Sequence, residues 1–239
     1  PDMDTPHHIV EKLVQTVRKS RTHRYSSSKG INGLRKAQAR YYKNRFDVAL
    51  DPEREIIATL GSKEGLANLA MAITAPGDVM LVPNPSYPIH PYGFMIAGGT
   101  LRHLPTLHDG KFKPEEYMQS LSRAVAHSVP KPVALVVSFP SNPTAQLCDI
   151  DFYEELISFA KKNNLWVLSD LAYAEIYFDG NPPPSILQVN GAKEVAVEFT
   201  SLSKTFSMPG WRMGFAVGNS RLIDALTRIK SYLDYGAFT

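Results

Sequence analysis

Short apolar runs and longer amphipathic stretches take turns along the interior of this chain. Residues 79–82, 100–104, 133–139, 165–168, 195–199 and 213–217 read as strands. Most of these runs lack a polar residue at every second position, as expected of strands covered on both faces. Between them, residues 63–74, 114–126, 151–162 and 221–230 read as helices. In 151–162, the residues Phe152, Leu156, Phe159 and Ala160 share one face. The alternation predicts an α/β fold, doubly wound around a mostly parallel sheet. Such sheets gather ligands at the carboxyl ends of their strands, where loops meet helix N-termini. Pro182-Pro183-Pro184 reads as a rigid loop, and no internal repeat interrupts the pattern.

Composition narrows the class only a little. A chain of 239 residues can bury one large core, so one large domain is expected. The 44% hydrophobic and 21% charged content is that of an ordinary globule. A net charge of +3 on scattered basic residues makes no case for nucleic acid or an anionic membrane. A single cysteine, Cys148, excludes an internal disulfide and fits a reducing compartment. No apolar stretch is long enough for a membrane span and no signal peptide opens the chain, so a cytoplasmic location is expected. The chain starts at Pro1 without an initiator Met and stops at Thr239 just past a helical pattern, which suggests an excerpt from a longer protein.

Candidate chemistry sits where these elements meet. Ser201-Leu202-Ser203-Lys204-Thr205 follows a strand directly, and Arg212 comes eight positions after Lys204. A lysine amine can form a Schiff base with an aldehyde, while hydroxyls and a guanidinium hold a phosphate. The plainer alternatives are a solvated lysine and a surface ion pair. Gly61-Ser62-Lys63-Glu64-Gly65 precedes an apolar helix, where free N–H groups and the positive dipole end suit a phosphate. Ser62 as an ordinary N-cap is the plainer alternative, since Ser is so common there.

Three further loops add side chains. In Asn84-Pro85-Ser86-Tyr87-Pro88, two prolines pin Tyr87, whose ring can stack on a flat ligand or merely pack. Asn142, held extended by Pro143, can point its amide into a cleft, although Asn-Pro also favours a plain turn. Asp170 closes a buried strand, which is costly without a partner, and Tyr173 follows three residues later. Capping of the next helix is the plainer role for Asp170. Tyr25, in a Ser-rich loop, reads on residue physics alone as a loop tyrosine.

In order and spacing these segments together resemble the fold-type-I aminotransferases of class I/II, from about Tyr25 to the end of the chain. The resemblance implies pyridoxal 5'-phosphate (PLP) as cofactor and no metal. It implies residues 1–24 as a partial N-terminal segment and helix, and 25–239 as the PLP-binding large domain. The small C-terminal domain, with its carboxylate-binding arginine, lies outside this chain by the same comparison.

Lys204 matches the Schiff-base lysine, which also moves the proton at the substrate Cα. Asp170 matches the partner of the pyridine nitrogen, and Asn142 and Tyr173 the residues at the 3-oxygen. Lys204, Asp170 and Tyr173 form the implied catalytic set. Tyr87 matches the stacking residue, and Ser62, Lys63, Ser201 and Arg212 the phosphate ligands. Tyr25 matches a tyrosine that reaches the partner subunit's phosphate, which implies a homodimer. Residues 61–65, 84–93, 139–146 and 230–239 look most like bacterial glutamate–pyruvate (alanine) aminotransferases, with the diaminopimelate aminotransferases as close relatives. That implies alanine or glutamate, with pyruvate or 2-oxoglutarate, as substrates. A PLP-dependent β-lyase or racemase on the same scaffold, or a non-catalytic PLP-binding regulatory domain, are the alternatives.

Overall fold

The computed structural model describes residues 3–238; Pro1 and Thr239, weighed above as chain ends, lie outside the described residues. Seven strands form one sheet: β1 (Ile56–Thr59), β2 (Val79–Asn84), β3 (Thr100–Pro105), β4 (Pro132–Ser138), β5 (Trp166–Asp170), β6 (Ala196–Ser201) and β7 (Gly214–Gly218). Their order across the sheet is β1-β7-β6-β5-β4-β2-β3. Strands β2 to β6 pair in parallel, while β7 runs antiparallel to both β6 and β1. The mostly parallel sheet is therefore present, with its reversal where β6 returns into β7. Antiparallel neighbours need no long crossover, and residues 202–213 alone make that connection.

All six strands read from the apolar runs form, with ends displaced by a residue or two. Strand β1 was not among them. Ile-Ile-Ala-Thr is too short a run to display any period.

Alternate residues of a strand face opposite sides, and here both sides are covered. Leu81, Leu135, Val137 and Val167 join one core with Tyr42, Leu121 and Leu156. Met80, Val82, Ala134, Val136 and Leu168 join the other with Leu66, Leu69, Phe94 and Leu222. The first layer is built from α2 (Asn32–Phe46), α5 (Pro114–Ala126) and α6 (Ile150–Lys162), the second from α3 (Ser62–Ile73), α4 (Ile89–Ile96) and α8 (Ser220–Leu233). A single-turn α7 (Leu202–Thr205) follows β6, and α1 (His7–Val17) buries none of its residues. Among the described residues no helix is long and apolar enough to cross a membrane.

Helices α1, α2 and α4 were not read from the pattern, and the latter two have plain reasons. The inward face of α2 is Arg35, Gln38, Tyr42 and Phe46, so half of it is polar. Helix α4 carries Pro91 and Gly93, both poor helix interior residues. In α6 the N-cap Asp149 accepts the Phe152 N–H at 2.9 Å. Its buried face is Phe152, Tyr153, Leu156, Ile157 and Ala160. The expected Phe159 is only half-buried, because the inward stripe is centred nearer Tyr153 and Leu156. Each such large apolar side chain stabilises the fold by about 1.5–3 kcal/mol.

Candidate active site

The parallel register sets Ser138 of β4 beside Asp170 of β5, and Asp170 beside Phe199 of β6. At this strand end opens a cleft of about 160 Å³. It is lined by all nine residues expected there within one chain: Ser62, Lys63, Tyr87, Asn142, Asp170, Tyr173, Ser201, Lys204 and Arg212, joined by Ala172 and Ser203. Tyr25 is not among them. It is 83% exposed and packs on Tyr235, with ring centroids 4.4 Å apart.

One end of the cleft is built for an anion. Gly61, at φ 85° and ψ 161°, turns the chain from β1 into α3. Ser62 is the first helical residue rather than the cap, and no side chain caps this helix. The ordinary N-cap reading of Ser62 is thereby excluded. The first N–H of the helix to find a carbonyl one turn back is that of Gly65, on Gly61 O at 3.4 Å; those of Ser62 and Lys63 remain for a ligand.

Arg212 approaches from the opposite side. Its Nη1 donates to Pro209 O at 2.6 Å and its Nη2 to Leu60 O at 3.2 Å. Among the described residues it forms no ion pair, so the surface ion pair is excluded too. Two carbonyls instead fix the guanidinium plane, leaving other N–H groups to bind. Gly214 permits close packing beneath: a Cβ there would lie 2.8 Å from Ser62 N and 2.7 Å from Thr200 O.

The lysine stands at the middle. Strand β6 ends at Ser201, whose Oγ accepts the Ser203 N–H at 3.3 Å and starts α7. Lys204 then projects into the cleft, half-buried, with Nζ 5.9 Å from the centre of the Tyr173 ring. Lys63 Nζ lies 5.8 Å from the Tyr87 ring centre. Tyr87 itself packs edge-on to His90, with centroids 6.1 Å apart.

Asp170 forms the far wall. It is only 8% exposed, and its Oδ1 accepts the Ala172 N–H at 3.3 Å. No helix starts at Asp170, so the helix-capping alternative reduces to this one turn bond. The other oxygen, Oδ2, lies 2.9 Å from Nε2 of the fully buried His90. A carboxylate only accepts, so Nε2 carries the proton, and the buried Nδ1 has no partner among the described residues. Sequence reasoning missed His90. Its one signal is its place a turn after Tyr87 in Tyr87-Pro88-Ile89-His90. Asn142 Nδ2 donates weakly to the Tyr173 hydroxyl at 3.4 Å. Burial, then the negative Asp170, pushes the Tyr173 hydroxyl above its ordinary range.

An anion seat, an amine, an amide and phenol pair and a buried carboxylate thus surround one small volume. This donor set fits a flat ring carrying a phosphate at one end, a carbonyl near the lysine and a cationic nitrogen at the carboxylate.

Fold and site together define an α/β domain of the transaminase type. Residues 1–233 match the family Aminotransferase class I and II, and the chain belongs to that family. It is 65% identical over its whole length to AatC of Rhizobium meliloti (strain 1021), whose aminotransferase name is provisional, and spans 58% of that protein. It is 52% identical to the glutamate-pyruvate aminotransferase AlaC of Escherichia coli (strain K12), spanning 57% of it. Substrate-bound BacF from Bacillus subtilis superposes on the whole chain with a TM-score of 0.90 at 35% identity, the chain covering 59% of that structure. The chain therefore corresponds to under three-fifths of the length of these relatives.

Proposed function

We propose that the protein containing this chain is a PLP-dependent transaminase and that residues 25–239 are its large cofactor-binding domain, preceded by a partial N-terminal segment at 1–24. One observation carries the reading: nine residues, Lys204 among them, from five separate segments of the chain converge on one cleft. When bound, PLP supplies an electron sink for the carbanion formed at the substrate Cα. Lys204 Nζ would hold the cofactor aldehyde as a Schiff base; as a free amine it would take the proton from the substrate Cα as general base and deliver it to cofactor C4′ as general acid. Asp170, fixed by His90 and the Ala172 N–H, keeps a negative charge at the ring nitrogen. Asn142 and Tyr173 would donate to the 3-oxygen, and Tyr87 would cover a ring face. The phosphate is held by Ser62 and Lys63 through backbone N–H groups, with Ser201 and Arg212. Tyr25, exposed and outside its own cleft, serves the partner's phosphate in a homodimer.

Alanine and glutamate, with pyruvate and 2-oxoglutarate, are the substrates best supported, through the likeness to AlaC. The test begins with PLP and the purified protein. A borohydride-reducible band and a mass increment on Lys204 are expected, and Lys204→Ala should abolish both. The full-length protein should turn alanine over repeatedly only when 2-oxoglutarate is present. Keto-acid release well beyond one equivalent per site without an acceptor indicates a lyase and overturns the transaminase assignment; a faster half-reaction with diaminopimelate moves the substrate pair.

A further inference from the structure

Lys230 lies on α8, outside the cleft, and is 0% exposed. Burying an ammonium is unfavourable unless it is paired, and this one has two carboxylates. Its Nζ is 2.7 Å from Glu64 Oε1 and 2.9 Å from Asp234 Oδ2. Glu64 belongs to the first turn of α3, the turn that offers its N–H groups to an anion. Its other oxygen, Oε2, accepts the Leu60 N–H at 2.8 Å. The carbonyl of that same Leu60 accepts from Arg212 Nη2 at 3.2 Å. An unbroken path therefore runs from Lys230 through Glu64 and Leu60 to Arg212.

The charge pattern needs explaining. A carboxylate in the first turn complements the helix dipole, but it competes with a phosphate drawn to the same end. Two anions there repel each other unless one is neutralised.

We propose that Lys230 is a positioning residue for the phosphate seat: shared with Asp234, it offsets the charge of Glu64 and, with Asn68 Nδ2 on the same oxygen, holds that carboxylate on Leu60, which keeps the α3 N-terminus open to a phosphate. This rests on the PLP reading of the cleft. Lys230 touches neither the cofactor nor the substrate.

The experiment compares binding of PLP and of pyridoxal, which lacks the phosphate, to the full-length protein. Wild type that binds PLP no better than pyridoxal overturns the cofactor reading itself, before any variant is compared. Given that preference, Lys230→Met should lose about tenfold or more in PLP affinity with pyridoxal affinity unchanged. Glu64→Gln combined with Lys230→Met should recover most of the loss, because the repelling charge is gone. A side chain that merely fills space would not be rescued in this way. Equal losses for both ligands, or a double variant as weak as the single one, overturn the proposal. If Lys230→Met does not fold, the double variant decides: folding with wild-type preference for PLP supports the proposal, and failure of either overturns it.

Discussion

Gly61→Ala should damage both the fold and cofactor binding, by comparable free energies. Gly61 sits at φ 85° and ψ 161°, a region that side-chain-bearing residues essentially avoid. Holding alanine there costs about 1–3 kcal/mol of strain. The new Cβ would also lie 2.5 Å from Arg212 Nη2 and 3.2 Å from Cζ. These atoms end a flexible side chain, so the guanidinium moves and the backbone stays. Moving it breaks the bond to Leu60 O at 3.2 Å and withdraws a donor from the anion seat. A hydrogen bond to a charged group contributes about 1.5–3 kcal/mol. At 1.4 kcal/mol per decade, PLP affinity should fall by about ten- to a hundredfold. Urea unfolding of the apoprotein reads the strain, and spectrophotometric PLP titration reads the affinity. Gly33→Ala, whose Cβ meets nothing within 4 Å, is the control: affinity should be unchanged, and stability equal or higher by up to about 1 kcal/mol because Gly33 lies in α2. Wild-type affinity in a destabilised Gly61→Ala protein would show that Arg212 is no phosphate ligand. Wild-type values of both would refute the whole line of reasoning.

Three further outcomes are expected. His90→Leu leaves the Asp170 carboxylate buried without its side-chain donor, and should cost about 1–3 kcal/mol in chemical denaturation; an unchanged midpoint would mean that solvent already serves Asp170. Phe152→Ala removes a ring packed on Phe112, Tyr117, Phe139 and Tyr153, and should cost about 3–5 kcal/mol, measured by urea melts. Burial raises the hydroxyls of Tyr42, Tyr117 and Tyr153 above their ordinary value of 10.0. The folded state holds these protons more tightly than the unfolded one, so their contribution is complete below pH 10 and is lost as pH rises beyond it. Stability followed from about pH 9 to 11 should fall, and Tyr117→Phe should soften the fall; a flat wild-type profile contradicts the burial argument.

Doubly wound strands were readable because burial on both faces writes a nearly continuous apolar run, as in β4; β6 is buried as fully although Glu198 interrupts its run. The cleft was readable because its residues cluster in short segments at strand ends, each with its own local signature. What stayed hidden depends on distant partners. His90 matters only because Asp170, far along the chain, closes on it. Lys230 reads as part of the polar face of an amphipathic helix; only Glu64 and Asp234 make its burial tolerable. Helix α2 hid for a related reason, since Arg35 turns inward to meet Gly30 O, Pro52 O and Glu53.

The antiparallel return of β7 has one more consequence. Ser201 pairs directly with Gly214, so residues 202–213 leave and re-enter the sheet at a single closed gate. Lys204 and Arg212 both ride on that closed excursion. Insertions or swaps elsewhere in the chain leave their spacing untouched, so the amine and the guanidinium are inherited, or lost, as one cassette.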